Sequence, residues 1–96
     1  MKAVYICSPF KGNVRENIKK AIKWSRKAYK KGYLPICVHI YLEEATNERR
    51  RKRLLKLGLE ILKRCDELWV CSKKISEGMK GEIEFALKNG IKIKWL

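Results

Sequence analysis

Ser76-Glu77-Gly78-Met79-Lys80-Gly81-Glu82-Ile83-Glu84-Phe85-Ala86 decides the reading of this chain. It follows a short apolar run, Glu67-Leu68-Trp69-Val70-Cys71, which reads as a buried strand. It opens a helix that runs to about Lys88. A serine and two glycines therefore stand where a strand turns into a helix, and Glu82 follows in the first turns of that helix. Such a turn exposes backbone N–H groups and the positive end of the helix dipole, so it suits an anion. A carboxylate beside a phosphate site is placed to act on whatever that phosphate anchors.

Outward from this turn, the rest of the chain falls into alternating elements. Lys2–Cys7 is apolar and β-prone and reads as the first strand; it is too short for a signal peptide. Ser8-Pro9-Phe10-Lys11-Gly12 is a loop, and Asn13 with Glu16 resembles a capping box. The helix that follows carries Val14, Ile18, Ala21, Ile22, Ser25, Ala28 and Tyr29 on one face and lysines and arginines on the other. Gly32 is placed as its C-cap. Tyr33–Ile40 contains the second strand, Leu34–Val38, closed by His39. A loop through Glu43, Glu44 and Thr46 leads to a second helix, about Asn47–Arg64, with Leu54, Leu55, Gly58, Ile61, Leu62 and Cys65 on its buried side. Asp66 precedes the third strand, Glu67–Cys71; Asn89-Gly90 stops the third helix, and Ile91–Trp95 is the last strand.

The order β-α-β-α-β-α-β with short connections predicts a single α/β domain over residues 1–96. The architecture expected is a Rossmann/flavodoxin-like three-layer sandwich, a parallel sheet of about four strands with helices on both faces. Ligands bind such sheets at the carboxyl ends of the strands, where strand order reverses. Those ends carry Ser8–Gly12, His39–Tyr41 and Ser72–Gly78, so most of the unusual polar and glycine residues fall on one edge.

Composition narrows the partners. The charge is extreme, 24 Lys+Arg against 10 Asp+Glu for a net +14. Either this is a lysine-rich solvated surface or it attracts polyanions and anionic small molecules. The block Arg49-Arg50-Arg51-Lys52-Arg53 has no interleaved aromatics and reads as a solvated segment or as a polyanion contact. Nucleic-acid binding therefore ranks behind a small ligand, because the basic residues are spread over two helices. Cys7, Cys37, Cys65 and Cys71 have no C-x-x-C spacing and read as buried free thiols, which fits a reducing cytoplasm. No segment is long and apolar enough to span a membrane. Zinc spacing and a P-loop lysine pattern are both missing, so no metal and no cofactor are expected. Trp24, Trp69 and Trp95 read as core or subunit contacts.

With these residues in hand, the chain resembles the nucleoside 2-deoxyribosyltransferase superfamily, in a branch of small, often phage-associated proteins. The resemblance rests on Tyr5-Ile6-Cys7-Ser8-Pro9-Phe10-Lys11-Gly12, on the Pro35…His39 strand end, on Arg64-Cys65-Asp66-Glu67-Leu68-Trp69-Val70, and on Ser76-x-Gly78-x-x-x-Glu82-Ile83-x-x-Ala86. It implies a glutamate that attacks the anomeric carbon of a nucleoside and forms a glycosyl-enzyme, the logic of retaining glycosidases. Glu82 falls at that nucleophile position, and near a helix N-terminus it is expected to stay ionised. Ser76 and Gly78 match the positions with which 2'-deoxynucleoside 5'-phosphate N-hydrolases hold the 5'-phosphate. Ser8 and Gly12 are implied to line the pocket, and His39 either has a structural role or orients the phosphate or base.

One departure stands out. Gly58 occupies the position where the active enzymes carry an aspartate that assists proton transfer to the leaving base, and Glu60 points about 200° around the helix from it. A mid-helix glycine costs about 1 kcal/mol relative to alanine, so close approach of a ligand, the sheet or a second subunit should compensate. Asp66 looks structural. The functions in view are a nucleoside monophosphate N-glycosidase, a nucleotide-binding module without turnover, and, third, a nucleic-acid-binding protein. A homodimer is expected, because members of the superfamily pair subunits around the site.

Overall fold

A computed structural model describes residues 1–38 and 47–96 of the chain. His39, expected to close the second strand, and Glu43, Glu44 and Thr46, expected in the loop after it, lie outside the described residues. The elements are β1 (Ala3–Cys7), α1 (Val14–Lys30), β2 (Leu34–Ile36), α2 (Glu48–Lys63), β3 (Glu67–Val70), α3 (Glu77–Lys88) and β4 (Lys92–Trp95). The four strands are parallel in the order β2-β1-β3-β4, which is the expected α/β architecture.

The sheet is covered on both faces because its central strands are apolar on both. Along β1, Val4 and Ile6 face α1 and join Ala21, Ala28 and Trp69; Tyr5 and Cys7 face the other way and join Leu62, Leu68, Met79 and Ala86 of α2, β3 and α3. The chain leaves β1 for β2 on one side, then crosses to β3 on the other. The strand order therefore reverses between β1 and β3, and the crevice lies beyond their carboxyl ends.

Two expectations shift. The buried stripe of α1 is narrower than its periodicity implied: Ala21 and Ala28 are buried, while Ile22 and Tyr29 are 44% and 57% exposed. Two alanines let the helix lie close on Val4 and Ile6, so the side chains flanking them splay outward. The second strand stops at Ile36 rather than Val38. It is an edge strand with Pro35 at its centre, which lacks an N–H for the ladder.

Each helix is started by a side chain that accepts a backbone N–H. Asn13 caps α1 from Glu16, Asn47 caps α2 from Arg50, and Ser76 caps α3 from Met79. Asp66 has the structural role expected of it. Its Oδ2 accepts the Ala3 N–H at 2.8 Å, and its own N–H donates to the Ala3 carbonyl at 2.8 Å. This reciprocal pair ties the start of β1 to the approach to β3. Asp66→Ala is therefore expected to cost about 1–2 kcal/mol, with Asp66→Asn closer to wild type because it keeps an acceptor. Urea denaturation checks this: the midpoint should fall while the slope stays constant.

Candidate functional site

Three segments converge at the carboxyl edge of β1 and β3: the loop after β1, the N-terminal half of α2, and the turn that opens α3. They enclose a cleft of two adjoining compartments, of about 250 and 270 Å³, which share Val38, Leu55, Glu77, Gly78 and Glu82. The first lies between α2 and α3, with Tyr5, Leu54, Gly58 and Leu59 on its walls. The second lies under the β1 loop, with Ser8, Phe10, Lys11, Arg51 and Ser76.

Glu82 stands where the two meet. Its Oε2 accepts a hydrogen bond from the Tyr5 hydroxyl, and its Oε1 accepts one from the Cys7 thiol at 3.5 Å. Both donors come from β1, two residues apart and so on one face of the strand. Burial pushes the Glu82 carboxyl up to about 7, against the opposing pull of the Tyr5 and Cys7 hydrogen bonds. The sequence-based expectation of an always-ionised carboxylate is thereby corrected. Glu82 lies six residues beyond the Ser76 cap, past the first turn to which the helix dipole's influence is confined. Tyr5 and Cys7 are driven the same way: burial first, then the neighbouring Glu82 charge, raise both well above their ordinary values, so both remain protonated donors.

Gly58 explains how Tyr5 reaches Glu82. A Cβ added at Gly58 would stand 3.2 Å from the Tyr5 hydroxyl. The compensation a mid-helix glycine calls for is thus the close approach of a β1 side chain. The space that an acidic side chain would enter from this position holds the tyrosine hydroxyl instead.

Ser76 and Gly78 both line the cleft. The Ser76 hydroxyl oxygen accepts the Met79 N–H at 3.3 Å and keeps its own O–H to donate. As first-turn groups, the N–H groups of Glu77 and Gly78 have no intrahelical acceptor. Ser8 is buried and lines the same compartment. Gly12 is exposed, with φ +99°, and Lys11 and Phe10 line the cleft in its stead. His39 lies outside the described residues.

Tyr5, Arg51 and Lys11, which line the cleft, and Cys7, which bonds Glu82 behind it, carry no site role in the sequence reading. Tyr5 carries a signal: a hydroxyl in the apolar central strand of a parallel sheet must find a partner. Cys7 shares its face. Arg51 falls on one helical face with Leu54, Leu55 and Gly58, three, four and seven residues on, which separates it from the solvated run around it. Arg49, Arg50 and Arg53 line a different concavity with Asn47. Lys11, on the loop after the first strand, lines the second compartment. No cluster of metal-ligating side chains occurs among the described residues, and no described helix is long and apolar enough to cross a membrane.

Comparison with known proteins places this geometry. Residues 2–96 match the model of the family described as Domain of unknown function (DUF7768). No curated protein matches the sequence. Among solved structures, a 2-deoxyribosyltransferase from Bacillus psychrosaccharolyticus, a biocatalyst for nucleoside synthesis, is similar in fold. Its TM-score is 0.78 at 18% identity, over 97% of this chain and 70% of that one.

The raised pKa of Glu82 has a stability consequence. A folded-state value above the ordinary 4.5 contributes stability that is complete below 4.5 and lost as pH rises through about 7. From 4.5 to about 7 this amounts to about 3 kcal/mol. Glu82→Gln should therefore raise the melting temperature above neutral pH and have little effect near about pH 4, as thermal melts at both pH values will show. Tyr5→Phe removes a donor that favours the charged form, so carboxyl NMR titration should place Glu82 above about 7.

Proposed function

We propose that this chain, which belongs to the family described as Domain of unknown function (DUF7768), is a nucleotide N-glycosidase acting on (deoxy)nucleoside 5'-monophosphates. The observation that carries the reading is the position of Glu82 at the junction of an almost wholly apolar compartment and a more polar, partly basic one. A base fits the first, a phosphate the second, and the sugar that joins them passes the carboxyl. The fold likeness to a 2-deoxyribosyltransferase supports a nucleoside-type ligand.

In this reading the 5'-phosphate sits at the opening of α3. It accepts from the Ser76 hydroxyl and the first-turn N–H groups at Gly78, with Lys11 and Arg51 balancing its charge. Ser8 completes that wall. Ionised Glu82 attacks the anomeric carbon as the bond to the base breaks, and a sugar–Glu82 ester forms. Water then attacks the same carbon and the carboxylate is released. Tyr5 and Cys7 hold the carboxyl oxygens and are positioning residues. Four cysteines outside any disulfide suit a reducing compartment such as the cytoplasm. The homodimer belongs to the same proposal; the exposed Leu87, Trp95 and Leu96 offer apolar surface for it.

A second reading, binding without turnover, is favoured by Gly58, since the Tyr5 hydroxyl stands where an acid would reach the base. Chromatography of nucleoside monophosphates incubated with the protein separates the two. Turnover should release free base, and Glu82→Gln should slow that release by at least about a thousandfold while ligand still raises the melting temperature. Because attack needs the ionised carboxylate, the rate should climb as pH rises through about 7. Intact nucleotide bound by both forms identifies the binding module, and no binding across the panel removes both readings.

A further inference from the structure

The cleft is electrically polarised. In a chain of net charge +14, the compartment between α2 and α3 has no lysine or arginine among its described lining residues; its charged groups are Glu77 and Glu82, beside Leu54, Leu55 and Leu59. The adjoining compartment adds Lys11 and Arg51 near Ser76. Among the described residues, cations thus line one compartment of the site and not the other. Low-dielectric walls strengthen the attraction of the poorly solvated Glu82 carboxyl for a positive charge; Glu77 is exposed and paired with Lys80. A ligand that spans both ends fits best with a cationic ring on the leucine side and an anionic group at the opening of α3.

Among its described lining residues, the first compartment is also poor in proton donors for a departing base. The Tyr5 hydroxyl lies beside Gly58 and donates its hydrogen bond to Glu82. Glu77 pairs with Lys80 at 3.4 Å.

We infer, resting on the N-glycosidase reading, that the site takes nucleotides whose base already carries a fixed positive charge, such as a pyridinium or an N-alkylated purinium. The chemistry then balances without an acid. A Glu82 carboxylate oxygen bonds the anomeric carbon as the carbon–nitrogen bond breaks. The bonding pair moves to the ring nitrogen and cancels its charge, so the base leaves neutral. Water next bonds the anomeric carbon, the ester bond to Glu82 breaks with its electron pair on the carboxylate, and the surplus proton passes to solvent. A cation bound beside Glu82 also favours the ionised form that attack requires.

The test uses the full chain and a pair of ligands that differ by one methyl group and one charge, GMP and N7-methyl-GMP, with nicotinamide mononucleotide as the pyridinium case. Base release is followed by chromatography at mildly acidic pH and corrected for the spontaneous rate and for Glu82→Gln. The cationic nucleotides should react at least about tenfold faster than GMP. Equal or faster release from GMP overturns the inference and leaves the N-glycosidase reading standing. If no base is released from any of them, that reading fails. Calorimetry then decides the charge preference: tighter binding of N7-methyl-GMP than of GMP upholds it, and equal or weaker binding overturns it.

Discussion

A carboxyl group taken out of water must find donors or surrender its charge, and the site is built on how Glu82 resolves that choice. Tyr5 and Cys7 each give one oxygen a hydrogen bond, yet burial outweighs both and leaves the group titrating near neutrality, at about 7. Several features must hold together for this. β1 must be central, so that Tyr5 and Cys7 are buried. α3 must begin at Ser76, so that residue 82 projects back over β1. Position 58 is a glycine, and the tyrosine hydroxyl lies so close under α2 that a Cβ there would stand 3.2 Å from it. The sheet order β2-β1-β3-β4 supplies the first and opens the crevice in which the others meet.

Charge is distributed in the same spirit. The arginine block at the start of α2 is divided by helical geometry. At about 100° per residue, Arg51 turns into the cleft, while Arg49, Arg50 and Arg53 line a separate concavity. The basic surplus of the chain is thus admitted to the site on one side of Glu82. On the other side the walls are leucine, glycine and tyrosine, with no cation among the described lining residues to offset the carboxyl. A lysine placed there would hold Glu82 ionised at all working pH values and would repel a positively charged ligand.

The architecture was legible in the sequence because its signals are local. Buried parallel strands appear as continuous apolar runs such as Glu67–Cys71, helices as lysine-faced periodicities, and their starts as Asn13, Asn47 and Ser76. The presence of Ser76, Gly78 and Glu82 on one cleft was legible for the same reason, since a single strand-to-helix turn carries all three. The bonds that tune Glu82 were not, because they join residues 77 and 75 positions apart and leave no trace in spacing. Gly58 shows the gap most clearly. Along the chain it is a missing acid; in three dimensions it is the clearance that a tyrosine needs. The width of α1's buried stripe escaped as well, since periodicity reports a direction but not how closely two alanines allow a helix to approach.

The energetics of Glu82 argue for a role in binding or chemistry rather than in the fold. A group whose charge the folded state resists works against stability at neutral pH, and an apolar residue of similar size there would relieve that penalty. The two donors do not remove it; they fix where each oxygen points. A chain of 96 residues has a small core and little stability to spare. Keeping a poorly solvated carboxyl, a tyrosine hydroxyl threaded beneath a helix and a glycine at mid-helix at one point makes physical sense if the carboxyl meets something that rewards its charge. The polarised cleft on either side of it describes what that something must be: a molecule with an anion at one end and, within reach of Glu82, a centre at which negative charge is welcome.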